Sequence, residues 1–470
     1  MSVSPPPTPP PRPPERGERR FKRINTPCEW VEDYYPGSYH PVDVGDTIYG
    51  GRYKVIRKLG YGSFSTVWLV HDLDKANYVA VKILVAKASE GNGDLQEEKI
   101  YRHLSRPANE QTTVNRYITQ LLDTFVLKGP NGEHKCMVFE PMGPTANTMV
   151  EELPEFNPQM YGMKVRYPVW MAKQILRGAL EALQFLHAQG IAHGDFQPGN
   201  ILFPLRAGGH GHSDGRGRGS SSSCLDGVAE ATLWQTDNAN ATFRGSISPP
   251  VVRLDGKVDR WAPKHLYVPQ PLTAFTDYGP GFRVKLSDLG GAYFVSEPPD
   301  EIVTPTGLSA PELIFQKSVP PTVDGRMLDI WSVGCLVFEL VTGCQLFCIP
   351  YSMREDADDS HLLSLSHILG PLPDHLFARW PRSSLYFTTD NAGKRTLFNR
   401  ALGGVGPGQE PLILPTPTME DMFDEAAPEV GSTAEAQQIK SLVRRILQYD
   451  PSQRPTAAEI LQDPWFAEAN

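Results

Sequence analysis

The stretch His193-Gly-Asp-Phe-Gln-Pro-Gly-Asn200, with the apolar run Ile201-Leu-Phe203 behind it, holds the residues best suited to chemistry. Asp195 is suited to orient and deprotonate a hydroxyl, and Asn200 to hold a metal ion. A second candidate metal ligand, the carboxylate of Asp288, follows in Lys285-Leu-Ser-Asp-Leu-Gly290. Upstream, Val55-Ile-Arg-Lys-Leu-Gly60-Tyr-Gly62-Ser-Phe-Ser65-Thr-Val67 reads as a strand, a Gly-rich turn and a returning strand. Gly60 and Gly62 let the backbone approach phosphate oxygens, because no side chain stands in the way. Val79-Ala-Val-Lys82 then offers a cation from an apolar strand. These residue types in this order point to phosphoryl transfer onto a hydroxyl, where positioning and charge neutralisation do most of the work.

Rigid elements must hold these groups. Lys82 needs a carboxylate partner, and Asp94 to Leu104 has helical spacing with Ile100, Tyr101 and Leu104 on one face. Glu97 shares that face, whereas Glu98 is turned about 100° away. The ion pair is assigned to Lys82 and Glu97, with Glu98 as the alternative. Val169 to Gln189 reads as an amphipathic core helix that stops at Gly190, a C-cap. Ala310-Pro-Glu312, Asp329-Ile-Trp-Ser-Val-Gly334 and Asp450-Pro-Ser-Gln-Arg454 complete the series. The whole ordered set resembles the protein kinases. It implies an α+β bilobal fold, with a β-rich N-lobe and a helical C-lobe, and a buried ion pair between Glu312 and Arg454. It also implies that Glu140 and Met142, in Cys136-Met-Val-Phe-Glu-Pro-Met-Gly143, bind adenine through the main chain, with Phe139 behind them. Leu59, Val67 and Ala80 complete the expected nucleotide pocket.

Composition agrees with that reading. A net charge of −9, from 45 basic and 54 acidic residues, argues against nucleic acid as the main partner. The six cysteines show no paired zinc spacing, and Cys335 and Cys344 read as core residues, which suits a reducing compartment. No apolar run is long enough to span a membrane, and no secretory signal is apparent. The expected organisation is a disordered Pro-rich and basic tail (1–28), an N-lobe with hinge (29–145) and a C-lobe (146–470). Within the C-lobe an insertion of residues 204–283 separates the catalytic loop from Asp288. Its Gly/Ser run, 208–223, reads as a flexible linker in which His210 and His212 are not metal ligands. The later part, around Pro249 to Pro263, has enough apolar and aromatic content to dock on the lobe.

A narrower resemblance rests on Tyr35-Pro-Gly-Ser-Tyr39-His-Pro-Val42, Gly45-Asp, Arg52-Tyr and the run from Val55 to Trp68-Leu69. With Met137-Val-Phe-Glu140 and the insertion, it is similar to the SR-protein kinase family, and to fungal members of it, over residues 29–468. The resemblance implies a serine/threonine kinase that uses ATP and Mg2+ on Arg/Ser-rich, splicing-type proteins. The chain is further expected to be a monomer in cytoplasm and nucleus, with no direct contact to nucleic acid or membrane. The acidic run Glu355-Asp-Ala-Asp-Asp359 lies where the family keeps a docking insert for basic substrates.

Several positions depart from the family pattern. Gln197 stands where a Lys is usual, Gly194 where kinases commonly place Arg, and Ser309 where Arg is general in the group. Gln197 is the feature that favours a second function class, a weakly active or inactive pseudokinase scaffold for Arg-rich proteins. Gly194 removes the cation that a phosphorylated activation segment would engage, so activity without that phosphorylation is expected.

Overall fold

The computed structural model describes residues 18–90, 95–105, 114, 116–156, 165–206, 225, 227–237, 246–315, 323–350, 354–391, 393–398, 417–431 and 433–467. The tail up to residue 17 and the Gly/Ser run lie outside them, as do His210, His212 and Asp94. The chain forms two compact units. One comprises residues 1–95, 119–144 and 203–280, the other 96–118, 145–202 and 281–470.

The first unit is built on a six-stranded antiparallel sheet: β1 (Thr47–Ile48), β2 (Tyr53–Gly62), β3 (Ser65–Asp72), β4 (Asn77–Leu84), β5 (Leu121–Gly129) and β6 (Gly132–Phe139). Their order across the sheet is β1-β2-β3-β4-β6-β5. Register puts Gly60 opposite Val67, Val67 opposite Lys82 and Lys82 opposite Met137. Because side chains alternate along a strand, Val67, Ala80 and Lys82 share one face. The other face carries Tyr53, Val55, Trp68, Val70, Val79, Val81 and Ile83 into a buried cluster with Val42, Ile48 and Tyr267.

That cover corrects two sequence expectations. The insertion, expected within the C-lobe, packs in its described parts on the sheet: Tyr267 stands edge-on to Trp68, and Leu225, Leu233 and Leu272 cluster with Ile56, Leu69 and Tyr78. Arg57 also donates to the carbonyls of Thr232, Leu233 and Trp234. The last part of the tail is likewise ordered. Phe21 is buried and bridges Arg253, while the Arg20 guanidinium and the Phe21 amide are held by the Glu32 carboxylate. Strands with apolar side chains on both faces need a cover on each, and the flank and the insertion supply it.

The second unit is helical. Its main elements are α1 (Gln96–Leu104), α2 (Val169–Ala188), α3 (Arg326–Thr342), α4 (Arg354–Ile368) and α5 (Ala434–Ile446). α2 buries Ile175, Leu176, Ala179, Leu183 and Leu186 and ends before Gly190, whose φ of +71° is the left-handed conformation that favours glycine. α3 is apolar nearly all round and buried accordingly. Cys335 lies inside it, but Cys344 is exposed, because the helix has already turned out at Gly343. Among the described residues no helix is long and apolar enough to cross a membrane.

Candidate active site

Four two-residue strands hold the chemistry of the helical unit. β7 (Ile191–Ala192) leads into His193–Asn200 and β8 (Ile201–Leu202) leads out; β9 (Lys285–Leu286) and β10 (Tyr293–Phe294) flank Asp288 in the same way. β7 pairs with β10 and β8 with β9, so the two loops are tied side by side at both ends. Cross-links finish the arrangement: the Ser287 amide donates to the Asn200 carbonyl at 2.9 Å, and a His193 ring nitrogen lies 3.2 Å from the Ser287 carbonyl.

The loops approach so closely that Gly194 has a structural reason. Its φ is +73°, and a Cβ there would stand 2.3 Å from the Gly291 carbonyl oxygen. An Arg at 194 would therefore be strained as well as crowded. The Gly194 carbonyl instead accepts the Thr304 hydroxyl at 2.7 Å, which ties the activation segment to the catalytic loop without a charge. Ser309 also turns inward, its hydroxyl within 3.2 Å of the Thr304 and Pro305 carbonyls.

Asp195 is half-buried and held from both sides. Gln197 donates through its amide nitrogen to both carboxylate oxygens, at 2.8 and 2.9 Å. Asn200 donates to the Asp195 carbonyl at 2.8 Å and to its Oδ2 at 2.9 Å. Burial raises the Asp195 pKa, opposed by the bond from Gln197, the nearby His193 and the bond from Asn200; the neighbouring Asp288 raises it further. Asn200 spends its amide nitrogen on Asp195 and keeps its carbonyl oxygen. That oxygen and the Asp288 carboxylate, on the neighbouring loop, are each of the hard type that a divalent cation takes. Asp288 has φ +55°, tolerated because its own side chain accepts the Gly290 amide at 3.3 Å.

Sequence reasoning assigned Asp329 no role, yet it anchors the catalytic loop. Its buried carboxylate accepts the His193 amide at 2.8 Å and the Gly194 amide at 2.9 Å, and lies 2.9 Å from His187 Nε2. An Asp at the start of an otherwise apolar helix was the available signal. Glu312 and Arg454 form the expected pair, bidentate at 2.7 and 2.9 Å. On α1, Glu97 is 5% exposed beside Ile100, Tyr101 and Leu104, while Glu98 pairs outward with Arg102 at 3.3 Å. α1 packs against the Leu289–Gly291 turn, next to Asp288.

The nucleotide residues lie in the sheet unit. Neither Gly60 nor Gly62 has a left-handed φ, and a Cβ at either would meet nothing within 4 Å. Folding therefore does not require glycine at these positions, which leaves room for a ligand as the reason for both. Leu59 sits at the register shift between Lys58 and Gly60. Ala80 and Met142 are buried, and Glu140 is fastened to Gln120 by its amide (3.1 Å) and its carboxylate (2.8 Å).

The acidic run differs from its expected role. Asp359 on α4 is 2% exposed and accepts Trp380 Nε1 at 2.6 Å and the Tyr386 hydroxyl at 2.8 Å. Arg382 approaches Asp359, Asp356 and Glu355 at 3.0, 2.9 and 3.4 Å. The cation that offsets the mutual repulsion is thus part of the chain.

Comparison with known proteins identifies the family. A family profile described as the protein kinase domain matches residues 53–210 and 275–466, leaving out much of the insertion. A serine/threonine-protein kinase SRPK of Physarum polycephalum is 31% identical over 94% of this chain and 91% of its own. Protein kinase dsk1 of Schizosaccharomyces pombe is 27% identical, over 96% and 87%. SRSF protein kinase 3 of Homo sapiens is 25% identical, over 93% and 89%. The chain is a serine/threonine protein kinase and belongs to the SR-protein kinase family.

Proposed function

We propose that this kinase phosphorylates serine in Arg/Ser-rich, splicing-type proteins, using ATP with Mg2+, as a monomer in cytoplasm and nucleus. The observation that carries the catalytic part is the bond set of Asp195. Gln197 and Asn200 aim the carboxylate without neutralising it, and the base stays available to a hydroxyl. The substrate class is supported by the names of the SRSF and SRPK relatives.

Asp195 orients the substrate hydroxyl and takes its proton as oxygen bonds to the γ-phosphorus and the bond to ADP breaks. Lys82, with Glu97 as its carboxylate partner, holds phosphate oxygens, and the backbone of Gly60 and Gly62 lies over them. Leu59, Val67 and Ala80 bound the adenine, which donates to the Glu140 main-chain carbonyl and accepts from the Met142 amide. When bound, Mg2+ neutralises charge on the phosphates, and Asn200 and Asp288 are the residues that would hold it.

The test compares an Arg/Ser-repeat peptide with a neutral serine peptide, in the wild type and in Asp195→Ala. Preference for the Arg/Ser peptide, abolished in the variant, is expected. Equal rates on both peptides would refute the substrate class, and full activity in Asp195→Ala would refute the site.

A further inference from the structure

The protein kinase profile begins at Tyr53, yet the chain before it is bonded directly to the Gly-rich hairpin. Tyr39 donates its hydroxyl to the Gly62 carbonyl at 2.7 Å. Its ring is buried with Phe21, Val31, Tyr34, Val85 and Leu266, and stands 5.6 Å from the Tyr34 ring. Its own carbonyl accepts the Asn131 side-chain amide, which also reaches the Trp261 carbonyl at 2.8 Å. Gly37 and Ser38, just before it, accept the amides of Lys87 and Ala86 at 2.7 and 3.1 Å. Tyr39 is therefore fixed by ring, backbone and neighbours before its hydroxyl reaches the loop.

The hairpin is braced at two further points. The Val85 amide donates to the Phe64 carbonyl at 2.9 Å, and the buried Lys58 of β2 is ion-paired with Glu29. Glu29 also accepts the Tyr34 hydroxyl at 2.6 Å. Burial, with nearby acidic groups, pushes the Tyr39 phenol up to about 12, so it remains a hydrogen-bond donor throughout the physiological range. A Gly-rich turn with open space around Gly60 and Gly62 has little of its own to hold it still, and ordering such a loop on binding costs affinity.

We propose that Tyr39 is a positioning residue for ATP, holding the Gly62 carbonyl so that the phosphate loop is set before the nucleotide arrives. This rests on the assignment of Gly60 and Gly62 to the phosphate loop. Tyr39→Phe keeps the packed ring and removes only the donor. A neutral hydrogen bond of ordinary strength corresponds to a roughly two- to tenfold rise in KM for ATP. Peptide KM and kcat at saturating ATP should stay within about twofold, a split that general loosening of the fold would not give.

The experiment uses the full chain and measures KM for ATP, peptide KM, kcat and Tm for three variants. Tyr267→Phe is the structural control, because it removes the hydroxyl of another buried ring of the same unit, one that bonds Asp43 and not the loop or its braces. Its KM for ATP should match the wild type. Gly62→Val tests the loop assignment and should raise KM for ATP. An unchanged KM in Tyr39→Phe, with Gly62→Val responding, overturns the brace alone. An equal rise in Tyr267→Phe also overturns it. An unchanged KM in Gly62→Val overturns the loop assignment on which the proposal stands.

Discussion

Replacing Asp329 by Asn should separate anchoring of the catalytic loop from its chemistry. The carboxylate receives the His193 and Gly194 amides and the His187 ring while almost wholly buried. Asn keeps one acceptor oxygen and turns an NH2 toward a group that also donates. One charge-assisted bond is lost, worth roughly 1.5–3 kcal/mol, and a buried donor is left unpaired at about 1–3 kcal/mol. Relaxation offsets part of that sum, so a stability loss of about 2–4 kcal/mol is expected. The loop would then sit less accurately, and a displacement of about 1 Å at a reacting group can cost on the order of 100-fold in rate. Steady-state kinetics on an Arg/Ser peptide, with thermal unfolding alongside, should show kcat down by roughly 10- to 100-fold and a lower Tm. KM for ATP should change little, because Gly60, Gly62 and Lys82 belong to the sheet unit. A lowered Tm with wild-type kcat would refute the positioning argument.

Gln197→Lys would place positive charge beside the migrating phosphoryl group, which the neutral Gln197 amide cannot supply; kcat should rise, and a slower variant would give Gln197 another role. Deleting residues 208–223 should leave peptide phosphorylation near wild type, since loop length costs only about 0.6 kcal/mol per doubling. Deleting 246–276 should instead unfold the sheet unit, because Tyr267 and Leu272 go with it; soluble, active protein after the second deletion would refute the packing argument. His361 is fully buried, and burial pushes its pKa down to about 4. The unfolded chain takes up that proton near pH 6.5 and the folded chain only near 4, so stability is constant above about 6.5 and falls as pH drops between the two. His361 contributes about 1.4 kcal/mol per pH unit to that slope, and the buried His40 and His134, also lowered by burial, add to it with the same sign. Urea unfolding at several pH values should show the slope, and His361→Gln should reduce it by the His361 share; an unchanged slope would count against the assignment.

Much of the site was legible because its motifs are local. Helical period alone separated Glu97 from Glu98, and the Gly after Gln189 marked the end of α2. Glu312 and Arg454 were legible only through the kinase pattern, since nothing in spacing links residues so far apart. The anchoring by Asp329 was missed for the same reason: its partners lie on a distant loop, and an Asp before an apolar run reads equally as a helix start. The insertion was misplaced because chain order puts it between two C-lobe motifs. The apolar run Tyr78 to Leu84 held the contrary signal, since a strand apolar on both faces needs a second cover. Cys344 was read as core from its apolar neighbours, but it follows the left-handed Gly343, where the chain leaves the helix.

The acidic helix bears on how this kinase selects substrate. Carboxylates so crowded between Glu355 and Asp359 repel one another and call for a cation, and a basic substrate would supply one. With Arg382 among three of these carboxylates, and Asp359 committed to Trp380 and Tyr386, that argument loses most of its force. An Arg-rich ligand would have to compete with an internal guanidinium that is already bonded and already paid for in ordering entropy. Glu355 is 82% exposed and sits farthest from Arg382 of the three, so it remains the carboxylate most open to such competition. A single exposed pair is worth little, about 0.2–1 kcal/mol. Selection of Arg/Ser proteins by this helix would therefore depend on many weak contacts along a repeat rather than on one strong acidic pocket.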